Sequence, residues 1–165
     1  MAVRISKTLL VAAIGLLALV IVLNNLTDYN ANFRYIQHVL SMDTVFADSQ
    51  LTWRAIVSPA LQKAIYGIIM ATEVAITVLC LAGAVRLAQA INSSGMAFDQ
   101  AKTTATLGLT LAFLFWFVGF MVVAGEWFTM WQSADWNGQQ PAFRFIGCVG
   151  FVLLYLSLSD RDVLP

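Results

Sequence analysis

Glu73 is the residue of this chain with the most chemistry to offer, because it interrupts an apolar run, 64–85, long enough to cross a bilayer. An ionisable group at membrane depth is costly unless it is paired, protonated or open to a wet cavity. Three roles suit it: a protonated or hydrogen-bonded carboxyl locking one helix to another, a handler of protons or cations, or a group hydrated by a cavity. Thr72 and Thr77 bring hydroxyls nearby, and no Lys or Arg stands at its depth on another predicted span. The depth-matched residues are Gly15, Phe115, Trp116 and Phe151, and of these Trp116 offers an indole N–H to the carboxyl.

A second polar set lies in the segment 24–58. His38 with Asp28, Asp43 and Asp48 raises a metal site, but zinc sites use several His or Cys ligands and calcium loops use closely spaced oxygens with a turn glycine. No metal and no cofactor is therefore expected, and Asp28 and Asp43 read as turn or capping residues. Arg34, His38, Asp43 and Arg54 are instead the candidates for contact with a protein partner, the two arginines above all, since guanidinium makes planar, charge-assisted bonds. No catalytic set emerges. The chain has one His, no phosphate-cradling glycine loop and no nucleophile elbow, so a non-enzymatic protein is expected.

The elements that must position these residues are helices in a membrane. Of 165 residues 60% are hydrophobic and 11% charged, too apolar for a soluble domain to bury, and the formal net charge of zero gives no reason to expect nucleic acid. Four spans are predicted, at about 5–26, 59–91, 98–131 and 142–159, in one domain covering 1–165, with an external loop at 24–58. Ser58 and Pro59 open the second span, and Asn92, Ser93, Ser94 and Gly95 turn the chain into the third. Within the loop, Phe33, Ile36 and Leu40, with Tyr29 a turn earlier, predict a short amphipathic helix.

On the second span Gly67, Ala71 and Ala75 repeat every four residues and predict a stripe of close helix approach, with Glu73 on the far side beside Tyr66, Ile76, Thr77 and Cys80. Cys80 and Cys148 read as buried small apolar residues, not a disulfide. Arg4, Lys7, Arg86, Lys102 and Arg161 fall on one side of the bilayer and Arg34, Arg54, Lys63 and Arg144 on the other. Because the first group sits in short tails and turns, both termini are expected in the cytoplasm, with Trp127, Trp131 and Trp136 as an outer aromatic belt.

The stretch 24–44, NNLTDYNANFRYIQHVLSMDT, followed by LTWRAI at 51–56, resembles a bacterial family of predicted small integral membrane proteins of unknown function, and the likeness runs over essentially the whole chain. The resemblance implies a Gram-negative inner-membrane protein. It also implies kinship with immunity-type proteins that guard a cell against membrane-targeting toxins. The partners expected are therefore the lipid bilayer and a protein, either a pore-forming toxin or a larger membrane complex to which the chain is an accessory. A small proton or ion conduit centred on Glu73 is the alternative.

Overall fold

Long runs of Leu, Val, Ala and Ile with no proline beyond a first turn give this chain its helices, which the computed structural model describes over residues 1–160. Helix α1 is Ala2–Thr27, α2 Tyr29–Ser41, α3 Pro59–Ala90, α4 Gly95–Ala101, α5 Thr103–Leu114 and α6 Gln139–Ser157; a π-helical segment, Phe115–Trp127, continues α5. Four stretches are long and apolar enough to cross a membrane: Ala2–Thr27, Pro59–Ala90, Thr103–Trp127 and Gln139–Ser157. The protein is an all-α, polytopic membrane bundle.

The third span departs from the single helix predicted over 98–131. Ser94 caps α4 by accepting the Ala97 N–H, the chain bends at Lys102, and beyond Leu114 the bonding loosens to the π pattern, closed by the Phe128 N–H on the Val123 carbonyl at 3.0 Å. Bonding of the i→i+5 type puts residues four and five apart on one face. Phe115, Trp116 and Phe120 accordingly form one ring cluster, with centroids 4.8 to 5.9 Å apart.

Helix α3 is the central element, packing most extensively against α1 and α5. Glycine sets how close these neighbours come. A Cβ on Gly83 would lie 2.6 Å from the backbone of Ala105, one on Gly108 would lie 2.9 Å from the Cys80 nitrogen, and one on Gly15 would press on Leu81 at 2.7 Å. The stripe expected to do this does not. Gly67 and Ala71 are exposed, and a Cβ on Gly67 meets nothing within 4 Å. Small size permits close approach but does not show which face a neighbour occupies. Cys80 is buried as expected, whereas Cys148 is exposed on the outer face of α6.

One end of the bundle is tied by charge. The Arg4 guanidinium donates to the carbonyls of Ile91 and Ser93. Lys7 and Lys102, both buried, each reach Asp160 at 2.6 Å, and Lys102 also reaches Asp99 at 2.6 Å. Burial alone would raise the Asp160 carboxyl, but hydrogen bonds from Lys102 and Lys7 outweigh it and hold the group below the usual carboxylate range. Both ends of the described chain and the α3–α4 turn therefore lie together; Arg161 lies outside the described residues.

At the opposite end α2 folds back as a cap. Of the residues whose spacing predicts its apolar face, Phe33 and Leu40 are buried, Ile36 is half-buried and Tyr29 is exposed, while Val39, outside that spacing, is buried with them. Val39, Leu40 and Met42 form a second core with Phe128 and Met130, separate from the main one. The Ile56 N–H on the Leu40 carbonyl at 2.7 Å and a Thr44–Ser133 hydroxyl pair at 2.8 Å fasten the cap.

The glycine contacts generate a direct comparison by thermal unfolding in detergent micelles. Gly83→Val should destabilise by about 1–3 kcal/mol, since two helix backbones must part. Gly67→Ala should change stability by less than about 1 kcal/mol, in the stabilising direction, since alanine is the better helix former and has open space there.

Candidate functional site

The site begins with two helix faces. On α3, Tyr66, Glu73, Ile76, Thr77 and Cys80 recur at helical spacing and are buried together. On α1, the buried stripe Val11, Ile14, Gly15, Ala18, Val22 ends on a polar residue, Asn25. The Asn25 amide donates to a Glu73 carboxylate oxygen at 2.6 Å, and both side chains are more than nine-tenths buried. Thr77 is not available to the carboxyl, because its hydroxyl donates to the Glu73 backbone carbonyl at 2.9 Å.

This pairing revises the expected depth of Glu73. Asn25 lies in the last turn of α1, so the carboxyl stands level with the end of that helix and with the polar chain reversal after it. Gly15, expected opposite Glu73, meets Leu81 instead. Helix α3 then continues outward from Glu73 to Pro59, a rise of about 21 Å, beside the π-helical segment and under α2. Tyr66, on that projecting part, packs against Tyr29 and Phe33 at centroid distances of 5.0 and 5.6 Å.

Where α1 stops, a cleft of about 350 Å³ remains. Its floor carries Glu73 and Trp116, its rim carries Asn24, Asn25 and Asn32, and its wall is shared between aromatic side chains, Tyr35, Tyr66, Phe120 and Phe145, and aliphatic ones. Asn24 and Pro141 are exposed at its edge, so it reaches the surface. Towards the charged end only a void of about 20 Å³ follows, lined by Ile14, Ala18, Ile76, Ala112 and Val149 among others. Glu73 is the one ionisable residue in that lining.

Trp116 shares the cleft with Glu73, as depth matching proposed, but its ring is engaged by stacking on Phe145 at 4.4 Å, and Asn25 takes the role of hydrogen-bond donor. Phe151, the other depth-matched residue, is exposed, and Phe145 stands in its place. The candidate partner residues separate from Glu73 and from one another. Arg34 is exposed on α2. His38 and Asp43 pair at 2.8 Å, and the imidazole stacks on Trp136 at 4.4 Å. The half-buried Arg54 lies over the Trp127 ring at 4.5 Å and donates to the Trp127 carbonyl, which makes it a fastening of the cap.

Tyr35, which the sequence gave no reason to choose, joins cap to cleft. Its hydroxyl donates to the Met130 sulfur at 3.0 Å, and a Cβ on Gly138 would overlap it. Burial pushes this phenol up to about 12, against the opposing effect of a hydrogen bond with the Gly138 backbone. Among the described residues no three His, Cys, Asp or Glu come together as a metal site.

Fold and site together define a small helical membrane protein with a polar cleft near one end. A family profile described as predicted small integral membrane protein (DUF2165) matches residues 3–159, and the chain belongs to that family. No curated protein and no solved structure matches it.

The Asn25–Glu73 bond predicts an ordered mutational series. Glu73→Gln retains an acceptor for the Asn25 amide and should cost less than about 1 kcal/mol in micelle unfolding. Glu73→Leu leaves that amide buried and unpaired and should cost about 1–3 kcal/mol. Equal losses for the two would remove the bond from the account.

Proposed function

We propose that this is a non-enzymatic inner-membrane protein that binds a protein partner at its capped end, outside the cell membrane, in the manner of an immunity protein that intercepts a membrane-targeting toxin. The observation that carries this reading is the build of the cap. It is fastened by backbone and side-chain bonds from three separate chain segments, yet Phe46, Trp53 and Val57 stay exposed, Trp53 at 71%. Rigid aromatic side chains beside fixed polar groups form a surface that binds with little ordering cost. The His38–Asp43 pair and Arg34 supply the polar part of it.

A conduit centred on Glu73 finds less support. Conduction needs polar groups or water on both sides of the carboxyl, whereas the charged-end side is closed by Ile14, Ala18, Ile76 and Val149. Orientation with the charged end in the cytoplasm rests on where the cations sit and not on their number: Arg4, Lys7, Arg86 and Lys102 lie in the short tail and turn of that end or the helix turns nearest it, while two of the four at the other end, Arg34 and Arg54, belong to the long 24–58 segment.

The test is protection. Cells expressing the chain should hold their membrane potential against a pore-forming toxin that depolarises cells lacking it. Arg34→Glu combined with Trp53→Ala should abolish protection at unchanged membrane insertion, because both side chains are exposed and the Arg54 contact with Trp127 stays in place when Trp53 gives up its edge contact with that ring. Arg54→Glu should instead lower the amount of folded protein. Full protection by the Arg34/Trp53 double variant would contradict the assignment of the surface.

A further inference from the structure

We infer that the cleft at Glu73 is a binding site for an organic ammonium carried on an apolar body. The carboxylate is the reason. One of its oxygens is held by Asn25, while the other has no protein partner among the described residues and belongs to the lining of the cleft. The side chain is only 6% exposed and, where the cleft reaches it, an ionised Glu73 would have a single amide to offset its charge. No Lys, Arg or His lines the cleft. An occupant that brings a positive charge would supply the counter-charge the walls lack and favour the ionised carboxylate over the protonated acid.

The remaining walls say what kind of cation this is. A hard metal ion needs six or more oxygen ligands, and this cleft offers one carboxylate with a few amides. Tyr35, Tyr66, Phe120 and Phe145 instead present aromatic surface, which suits an alkyl or aryl body and attracts an ammonium through the ring quadrupole. The volume of about 350 Å³ lies within the range of small-molecule sites. Asn24 and Asn32, at the rim, give a polar mouth through which a charged head can pass. Because the void beneath Glu73 is small and apolar, the ammonium stops there, and the site binds without conducting. This site is independent of recognition at the cap surface, since neither Arg34 nor Trp53 lines it.

Two sources share this chemistry, a free organic cation and the ammonium headgroup of a lipid. The experiment uses full-length protein in non-ionic maltoside micelles and titration calorimetry with phenyltrimethylammonium, its uncharged isostere tert-butylbenzene serving as control. Saturable binding of the cation is expected, with the isostere about tenfold weaker or more, the scale of one charge–charge contact in a partly desolvated site. Glu73→Gln should weaken the cation by about the same factor and leave the isostere unchanged. Asn24→Lys, a change at an exposed position that does not test folding, should also weaken the cation by placing a like charge at the mouth. Ethanolamine phospholipid added to the micelles should compete if lipid is the natural source and leave binding intact if a free cation is. The inference is overturned by equal affinity for cation and isostere, by cation binding that neither variant weakens, or by no saturable binding to the wild-type chain.

Discussion

The register between α1 and α3 is the constraint from which the rest of this molecule follows. Gly15 lets α1 lie against Leu81, and the same alignment carries Asn25 to Glu73 ten residues later on α1. The apolar run of α3 is centred on Glu73, so α1 is displaced towards the charged end by about 10 Å relative to it. A buried carboxyl that would be isolated in a symmetric bundle thereby meets the last turn of a neighbour, where an amide and a polar chain reversal are at hand. The displacement also leaves α3 and the π-helical segment projecting beyond α1. Their apolar faces need a cover, and α2 with the 128–138 segment provides it.

The two ends that result are held by different forces. At the charged end, lysines from α1 and from the α4–α5 bend converge on Asp160, and the mutual compensation of charges lets long polar side chains be buried there. At the capped end the fastenings are aromatic and sulfur contacts, Arg54 on Trp127, His38 on Trp136 and Tyr35 on Met130, which fill space less completely. The cleft lies between the two regimes. A packed closed end, a carboxyl and an accessible polar rim suit a molecule that receives something from one side.

Much of this was legible in sequence because it depends on one helix at a time. Span number and approximate limits, the amphipathic α2, the Ser58–Pro59 start of α3 and the face shared by Glu73 with Tyr66, Ile76 and Cys80 all follow from composition and period. What could not be read are quantities set between helices. Depth matching assumed that every span is centred alike, which misplaced Gly15 and Phe151 against Glu73. Asn25 does not stand out as a partner in the sequence because it falls at the start of the predicted 24–58 loop; its signal is its place on the stripe Val11, Ile14, Ala18, Val22. The Gly67–Ala71 stripe was chosen for its period, but Gly15, Gly83 and Gly108, which carry no such period, are where backbones meet. Arg54 stood out as a guanidinium and could not be told from a free one until Trp127 was seen beneath it.

A cleft open to water down to Glu73 and closed beneath it is the central claim, and cysteine accessibility along α3 tests it most directly. With Cys80 and Cys148 replaced by alanine, Ile69→Cys and Ile76→Cys would be treated in membranes with a small water-soluble methanethiosulfonate, which reacts with thiolates that water can reach. Ile69 lines the cleft and Ile76 the small void beyond the carboxyl. Reaction at 69 with protection at 76 is the predicted result. Reaction at both positions would reveal a continuous wet path through the bundle, and reaction at neither would show that no open cleft exists.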